Sequence, residues 1–301
     1  MRKILGLTVV LFLLVACSNA FASDVTEETL TTQQVQNIKV EYVYNPFGVA
    51  LSSTEITRIE TTTTKKVDGK TQTSTTITES TAYSVWKGGS LKIDKVEGTS
   101  NTTSDDGTVS DSTFSTVYEY NDKGQLIGAK GEGSTTTTKT KDGKIESSST
   151  STTVDTYEIR DGVALKVKSV TTGVSYGPGD TDDREKKADN TTTVTYEYEM
   201  RSGSWVVTKE IEYSETLQTD KTKIEITKTK VYTRDENGVI TGITMTATGK
   251  QGQVTGSSNG EISKIIFNMK DYTAEFTFDS EVGWYLTKES FEWDWTGEYP
   301  D

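Results

Sequence analysis

Residues 118–131 read YEYNDKGQLIGAKG. Tyr118 and Tyr120 stand two apart, and the chain then enters a polar turn that ends at Gly124. Alternation running into a glycine turn is the signature of a strand entering a hairpin. The same phrase recurs outward in both directions. It reads Tyr42-x-Tyr44 before Gly48, Tyr83-x-Val85 before Gly89 and Tyr157-x-Ile159 before Gly162. It continues as Tyr196-x-Tyr198 before Gly203, Val231-Tyr232 before Gly238 and Phe276-x-Phe278 before Gly283. The glycines are 41, 35, 38, 41, 35 and 45 residues apart, an imperfect period that marks a repeat architecture.

A second set of turns falls between these: Val67-Asp68-Gly69, Asp105-Asp106-Gly107, Lys141-Asp142-Gly143, Thr219-Asp220-Lys221 and Asn259-Gly260. A longer loop, Gly177 to Asn190, fills the remaining place. Asp-Gly and Asn-Gly suit turns whose central residues need positive φ. Two alternating turn sets make each repeat one hairpin. The expected fold is all-β, an up-and-down antiparallel meander of about seven hairpins and 14 long strands. Open sheets of that width usually twist, curl or close. A curled or barrel-like sheet with its aromatic stripe inside is expected, and a flat, free-standing sheet is the alternative.

Each repeat has two chemically different ends. Beside the first turn set, apolar residues alternate, as in Val163, Leu165 and Val167, or Trp205 and Val207, which period-2 geometry gathers on one face. Toward the second set come tracts such as residues 61–65 (TTTTK) and 134–138 (STTTT). The chain holds 55 Thr. Threonine keeps β-branched stiffness while staying soluble, so these tracts are read as strand rather than loop.

YEYNDKGQLIGAKG resembles the YD repeat of Rhs-type shell proteins, and residues 232–243 (YTRDENGVITGI) echo it. In texture, the Thr/Lys/Glu-rich strands and Asp-Gly turns are similar to the single-layer sheets of spirochaete outer-surface lipoproteins. Both resemblances imply extended β-structure, and neither identifies a specific family.

The N-terminus is an address. Arg2 and Lys3 precede an apolar run from Ile4 to Ala16, which reads as a secretory signal. The run ends in Leu14-Val15-Ala16-Cys17, which resembles the lipobox of bacterial lipoproteins. That resemblance implies removal of residues 1–16 and lipidation of Cys17. Residues 17–36 are then a lipidated, solvated tether, and 37–301 a single repetitive β domain. The rival reading is cleavage after Ala20-Phe21-Ala22, before Ser23, giving a soluble secreted or periplasmic chain. In either case the product is exported, with 30 basic against 45 acidic residues and a net charge of −15. With lipid on Cys17 it is held at a bacterial membrane, the outer membrane or cell surface being favoured.

Composition removes several chemistries. There is no His and only one Cys, so histidine-dependent catalysis, imidazole zinc sites, thiolate clusters and internal disulfides are excluded. A strongly acidic chain repels phosphate backbones, so no nucleic-acid partner is expected. The carboxylates of residues 177–183 (GPGDTDD) lack the ligand spacing of a calcium loop, and no metal or cofactor is expected. Nothing singles out a carboxylate pair for glycoside hydrolysis, and the chain is read as non-enzymatic. The candidate ligand surface is the aromatic stripe: Tyr42, Tyr44, Tyr118, Tyr120, Tyr196, Tyr198, Trp205, Phe276 and Phe278. The expected function is an envelope scaffold that meets a protein partner. The alternatives are a carrier holding an apolar ligand or lipid on the aromatic face and, behind both, an outer-membrane β-barrel.

Overall fold

The computed structural model describes residues 29–67, 70–178, 185–219, 222–236, 238–256, 262–279 and 283–298. The first strands are β1 (Thr29–Tyr44), β2 (Ala50–Val67), β3 (Lys70–Lys87), β4 (Ser90–Ser104) and β5 (Thr108–Tyr120). Next come β6 (Leu126–Lys141), β7 (Lys144–Arg160), β8 (Val163–Tyr176), β9 (Lys186–Arg201) and β10 (Ser204–Gln218). The last are β11 (Lys223–Arg234), β12 (Ile240–Gly256), β13 (Ile262–Asp279) and β14 (Gly283–Glu298). All pair antiparallel with their sequence neighbours, so sheet order is chain order.

The expected meander is present. Its 14 strands at about 4.8 Å spacing make a sheet about 60 Å wide. It stays open: β1 and β14 lie at opposite edges and each has one neighbour. Closure into a barrel is therefore not found, and the outer-membrane barrel loses its basis, since a spanning sheet must leave no edge. Beyond neighbouring strands, grouped contacts occur only between β2 and β4 and between β6 and β8 among the described residues. The sheet is thus a single layer. Among the described residues no large side chain is fully buried, and the most enclosed apolar ones are Val96, Ala129, Leu165, Ala188, Ala247 and Ala274.

Two boundaries differ from expectation. Strand β1 begins at Thr29, inside the stretch read as tether. Strand β9 begins at Lys186, so the loop after β8 is shorter than Gly177 to Asn190, and it is pinned by a Gly177 N–H to Glu185 carbonyl bond of 3.0 Å. The threonine tracts 61–65 and 134–138 are strand, as expected. Hydroxyl pairs stitch strands at this end of the sheet: Thr76 to Thr102 at 2.8 Å, Ser112 to Thr135 at 2.9 Å, Thr153 to Thr171 at 2.8 Å. Each such pair is worth about 0.2–1 kcal/mol.

The glycine turns come in two kinds. In three hairpins an Asn or Asp opens a four-residue turn. The carbonyls of Asn45, Asn121 and Asp235 accept the N–H of Gly48, Gly124 and Gly238 at 3.0, 2.9 and 3.1 Å. Their side-chain oxygens accept the amides of Val49, Gln125 and Val239 at 2.9, 2.9 and 2.8 Å. Three others are two-residue turns with both φ positive: Gly88-Gly89, Asp161-Gly162 and Ser202-Gly203. That geometry matches the twist of the flanking strands.

Beside every turn of this set the register slips by one residue. The slips lie between Val43/Tyr44, Tyr83/Ser84, Glu119/Tyr120, Thr156/Tyr157, Val207/Lys209, Thr233/Arg234 and Glu275/Phe276. The extra residue always belongs to the second strand of the hairpin. In the last three hairpins it is a threonine whose hydroxyl donates back across the bulge. Thr208 reaches the Glu197 carbonyl at 3.2 Å, Thr241 that of Thr233 at 3.4 Å, and Thr287 that of Glu275 at 2.9 Å. A bulge increases local twist and re-aims side chains. Here it recurs once per repeat.

Two turn glycines separate backbone strain from packing. Gly203 has φ +81° and open space where a Cβ would stand. Gly203→Ala is expected to cost about 1–2 kcal/mol from the left-handed backbone alone. Gly88 has φ +58°, and a Cβ there would collide with the Lys123 carbonyl and with Gly124 of the next turn. Gly88→Ala should lower the urea midpoint more than Gly203→Ala; equal losses would show that the two turns do not abut.

Candidate functional site

The strand register decides which side chains share a face. Tyr42 is opposite Ser53, and Ser53 opposite Ser84. Val96 faces Thr116, Tyr118 faces Ala129, and Asp155 faces both Gly131 and Ser169. Tyr196 is opposite Glu210, Glu210 opposite Lys230, Lys230 opposite Met245 and Met245 opposite Ala274. Followed across the sheet, this places Tyr42, Tyr44, Tyr118, Tyr120, Tyr196, Tyr198, Trp205, Phe276 and Phe278 on one side, the front face. Tyr83 departs from the pattern. It pairs with Thr54 and Lys95, which puts it on the back, where its hydroxyl donates to Glu97 at 2.9 Å. On this strand Trp86, not Tyr83, is on the front. The alternation expected through Val163, Leu165 and Val167 likewise breaks, because Val167 is the bulged residue.

On the front face from β5 to β11 the aromatic side chains lie down across the preceding strand. The Tyr120 hydroxyl donates to the Ile93 carbonyl on β4 at 2.8 Å, and Tyr198 to the Lys166 carbonyl on β8 at 2.8 Å. Tyr232 meets the Glu210 carboxylate on β10. Tyr157 crosses β6 and bonds the Thr116 side chain on β5. It crosses where Gly131 has no side chain: a Cβ there would stand 3.2 Å from the Tyr157 hydroxyl and 3.0 Å from the Asp155 Cβ. Phe114 does the same over Gly98 and is opposite a second glycine, Gly133, on its other side. A side chain reaching backbone one strand away cannot stand upright on the sheet. The rings are therefore shingled, one face on the sheet and one toward solvent. Tyr272 on β13 leans the other way, toward Glu289 and Phe291.

Charged groups sit between the rings in pairs. Lys166 meets Asp155 at 3.4 Å, Lys228 meets Glu212 at 3.1 Å, and Lys230 meets Glu210 at 4.0 Å. The Lys166 ammonium lies 5.8 Å from the Tyr196 ring centre, and Arg160 lies 5.4 Å from that of Trp205. Cations over ring faces favour this geometry. The best-formed hollows among the described residues are open troughs, one along Gly98, Phe114 and Gly133, the other along Gly173 and its neighbours. Cys17 and the loop carboxylates Asp180, Asp182 and Asp183 lie outside the described residues.

The sequence stripe omitted several members of this surface. Tyr157 and Tyr232 belong to it as fully as Tyr196, and each was visible in its own turn phrase. Phe114 and the glycine floor of Gly98, Gly131 and Gly133 carry no signal in a single strand; only the register brings them together.

Burial marks the same tyrosines chemically. It pushes the Tyr157 phenol up to about 12, with the Asp155 carboxylate adding to it. Burial, then Glu210, pushes Tyr198 to about 12. Tyr196 and Tyr232 rise by burial as well, with Glu210 adding in each case. A phenol whose folded pKa exceeds its unfolded value near 10 contributes stability that is complete below pH 10 and lost as pH rises toward 12. Absorbance titration should show a group of tyrosines ionising well after the rest, with thermal stability falling through that window. Gly131→Val should lift Tyr157 off the sheet and return its ionisation toward the ordinary value. No family model, curated protein or solved structure matches this chain, so its function is argued from the face itself.

Proposed function

We propose that this chain is a non-enzymatic envelope lipoprotein, anchored to a bacterial membrane through lipid on Cys17, whose open sheet is an interaction scaffold with the front face as its binding surface. One observation carries the reading: aromatic rings repeat on alternate strands of one face, and from β5 to β11 they lie across the preceding strand. Repetition of like groups suits binding an extended partner. Catalysis needs unlike groups converging on one reacting atom.

The carrier reading needs a ligand held in an enclosed space. The hollows of the sheet are open troughs, one floored by Phe114 and the other by threonines and Gly173, rather than enclosed spaces, which favours the scaffold. Aromatic residues with one apolar face and a tethered polar end are the side chains most often dominant in protein recognition. The outward location rests on the N-terminal address, where the apolar run ending in Ala16-Cys17 would place the sheet outside the cytoplasm.

Two measurements test this. Cys17→Ser should move the protein from the membrane fraction to the soluble fraction and abolish incorporation of labelled fatty acid; unchanged membrane association would overturn the anchor. Native mass spectrometry of the purified chain should show the bare polypeptide mass. A lipid or other apolar molecule retained on the wild-type chain but lost in Tyr196→Ala would replace the scaffold by the carrier.

A further inference from the structure

The front-face rings have a period. Tyr118, Tyr157, Tyr196, Tyr232 and Phe276 fall on β5, β7, β9, β11 and β13, the first strand of each successive hairpin. Tyr42 starts the series on β1, and β3 contributes Trp86 nearer its turn. These rungs lie in one band. Tyr232 bonds Glu210, and Glu210 is opposite Tyr196. Tyr157 bonds Thr116, which precedes Tyr118 by two residues on the same face. Tyr232 is opposite Ile243, and Ile243 opposite Phe276. Successive rungs are two strands apart, about 10 Å. Between the rungs from Tyr118 to Tyr232 lie low or charge-paired residues, Ala129 and Gly131 on β6, Lys166 on β8 and Glu210 on β10, and between Tyr232 and Phe276 lies Ile243.

From this we infer that the ladder is a binding track for a neutral, extended β-1,4-linked polysaccharide running across the strands, one ring under each disaccharide. The inference rests on reading the front face as the binding surface of the scaffold. Three features point to this occupant. In a β-1,4-linked chain alternate sugars present the same face, so its structural repeat is a disaccharide of about the same length as two strand intervals. Lying rings offer flat C–H-binding platforms, and beside the rungs the Tyr120 and Tyr198 hydroxyls are tied to strand carbonyls, which preorganises the band the rungs share. Lys166, Lys228 and Lys230 are each matched by a carboxylate and Arg234, beside Tyr232, donates to the Val207 and Gly238 carbonyls, so the track offers a polyanion little free positive charge, and the chain as a whole repels one.

The test uses the full chain carrying Cys17→Ser, with β-1,4-linked N-acetylglucosamine oligomers of increasing length as probe and calorimetry as readout. Affinity should rise stepwise with each added disaccharide over several steps, because each engages another rung. Tyr196→Ala should weaken the longest oligomer roughly tenfold. Tyr196→Trp, which keeps a ring, should retain binding and guards against loss of fold. Tyr213→Ala, on the back face, should leave affinity unchanged. Affinity that plateaus at one disaccharide, equal binding of an α-1,4-linked glucan, or a Tyr196→Ala protein that is folded and binds normally would each overturn the inference. Those results leave the scaffold reading standing; an apolar ligand on the wild-type ladder would remove both.

Discussion

The governing constraint is that a single layer has nothing to bury its apolar face against. In a two-layer domain the facing element covers the core; here covering must come from within the same sheet. A Leu or Val standing on a strand cannot cover its neighbour's backbone, and the exposed Val154, Val40 and Ile127 show what happens to such side chains. A tyrosine can, by lying across the preceding strand and handing its hydroxyl to an acceptor there. This explains why the most enclosed apolar residues are mostly alanines: small side chains are the ones that neighbouring side chains in the same layer can cover. Backbone ladders and cross-strand pairs supply the rest of the stability.

A bulge accompanies the shingling in each of its hairpins. Each inserts its residue on the returning strand next to the turn, where local twist is greatest, and so sets which side chains face front. The second hairpin shows the consequence. Its extra residue, Asp94 on β4, leaves Ile93 opposite Ser84 and Lys95 opposite Tyr83, so alternation shifts on β4 while β3 keeps Tyr83 on the back and Trp86 on the front. The three threonine-closed bulges show how the disrupted ladder is repaired: the hydroxyl donates to a carbonyl that lies beside the extra residue.

Much of this fold was legible because turns and alternation are local. The phrase around Tyr118, Tyr120 and Gly124 contains its own turn chemistry, and repeating it gave the hairpins, their order and the aromatic band. What could not be read depends on pairing. Nothing in the run from Lys168 back to Val163 marks Val167 as the extra residue, and that one residue changes which of its neighbours share a face. Gly131 reads as one glycine among many; its purpose appears only when Asp155 is set opposite and Tyr157 crosses above it. Whether the sheet closed was undecidable for a similar reason, since it depends on β1 and β14, which are far apart in sequence.

An exposed front face of this length invites a second layer, and the placement of charge explains how a lone sheet resists it. Two copies stacked front to front would bury the pairs Lys166–Asp155, Lys228–Glu212 and Lys230–Glu210. Desolvating an ion pair costs more than its attraction returns unless the geometry is excellent, so these pairs penalise a dry sandwich while tolerating a hydrated partner. The formal net charge of −13 adds repulsion between whole copies. The rings therefore remain available to a partner that brings its own hydroxyls and water, and are guarded against one that offers only another apolar sheet.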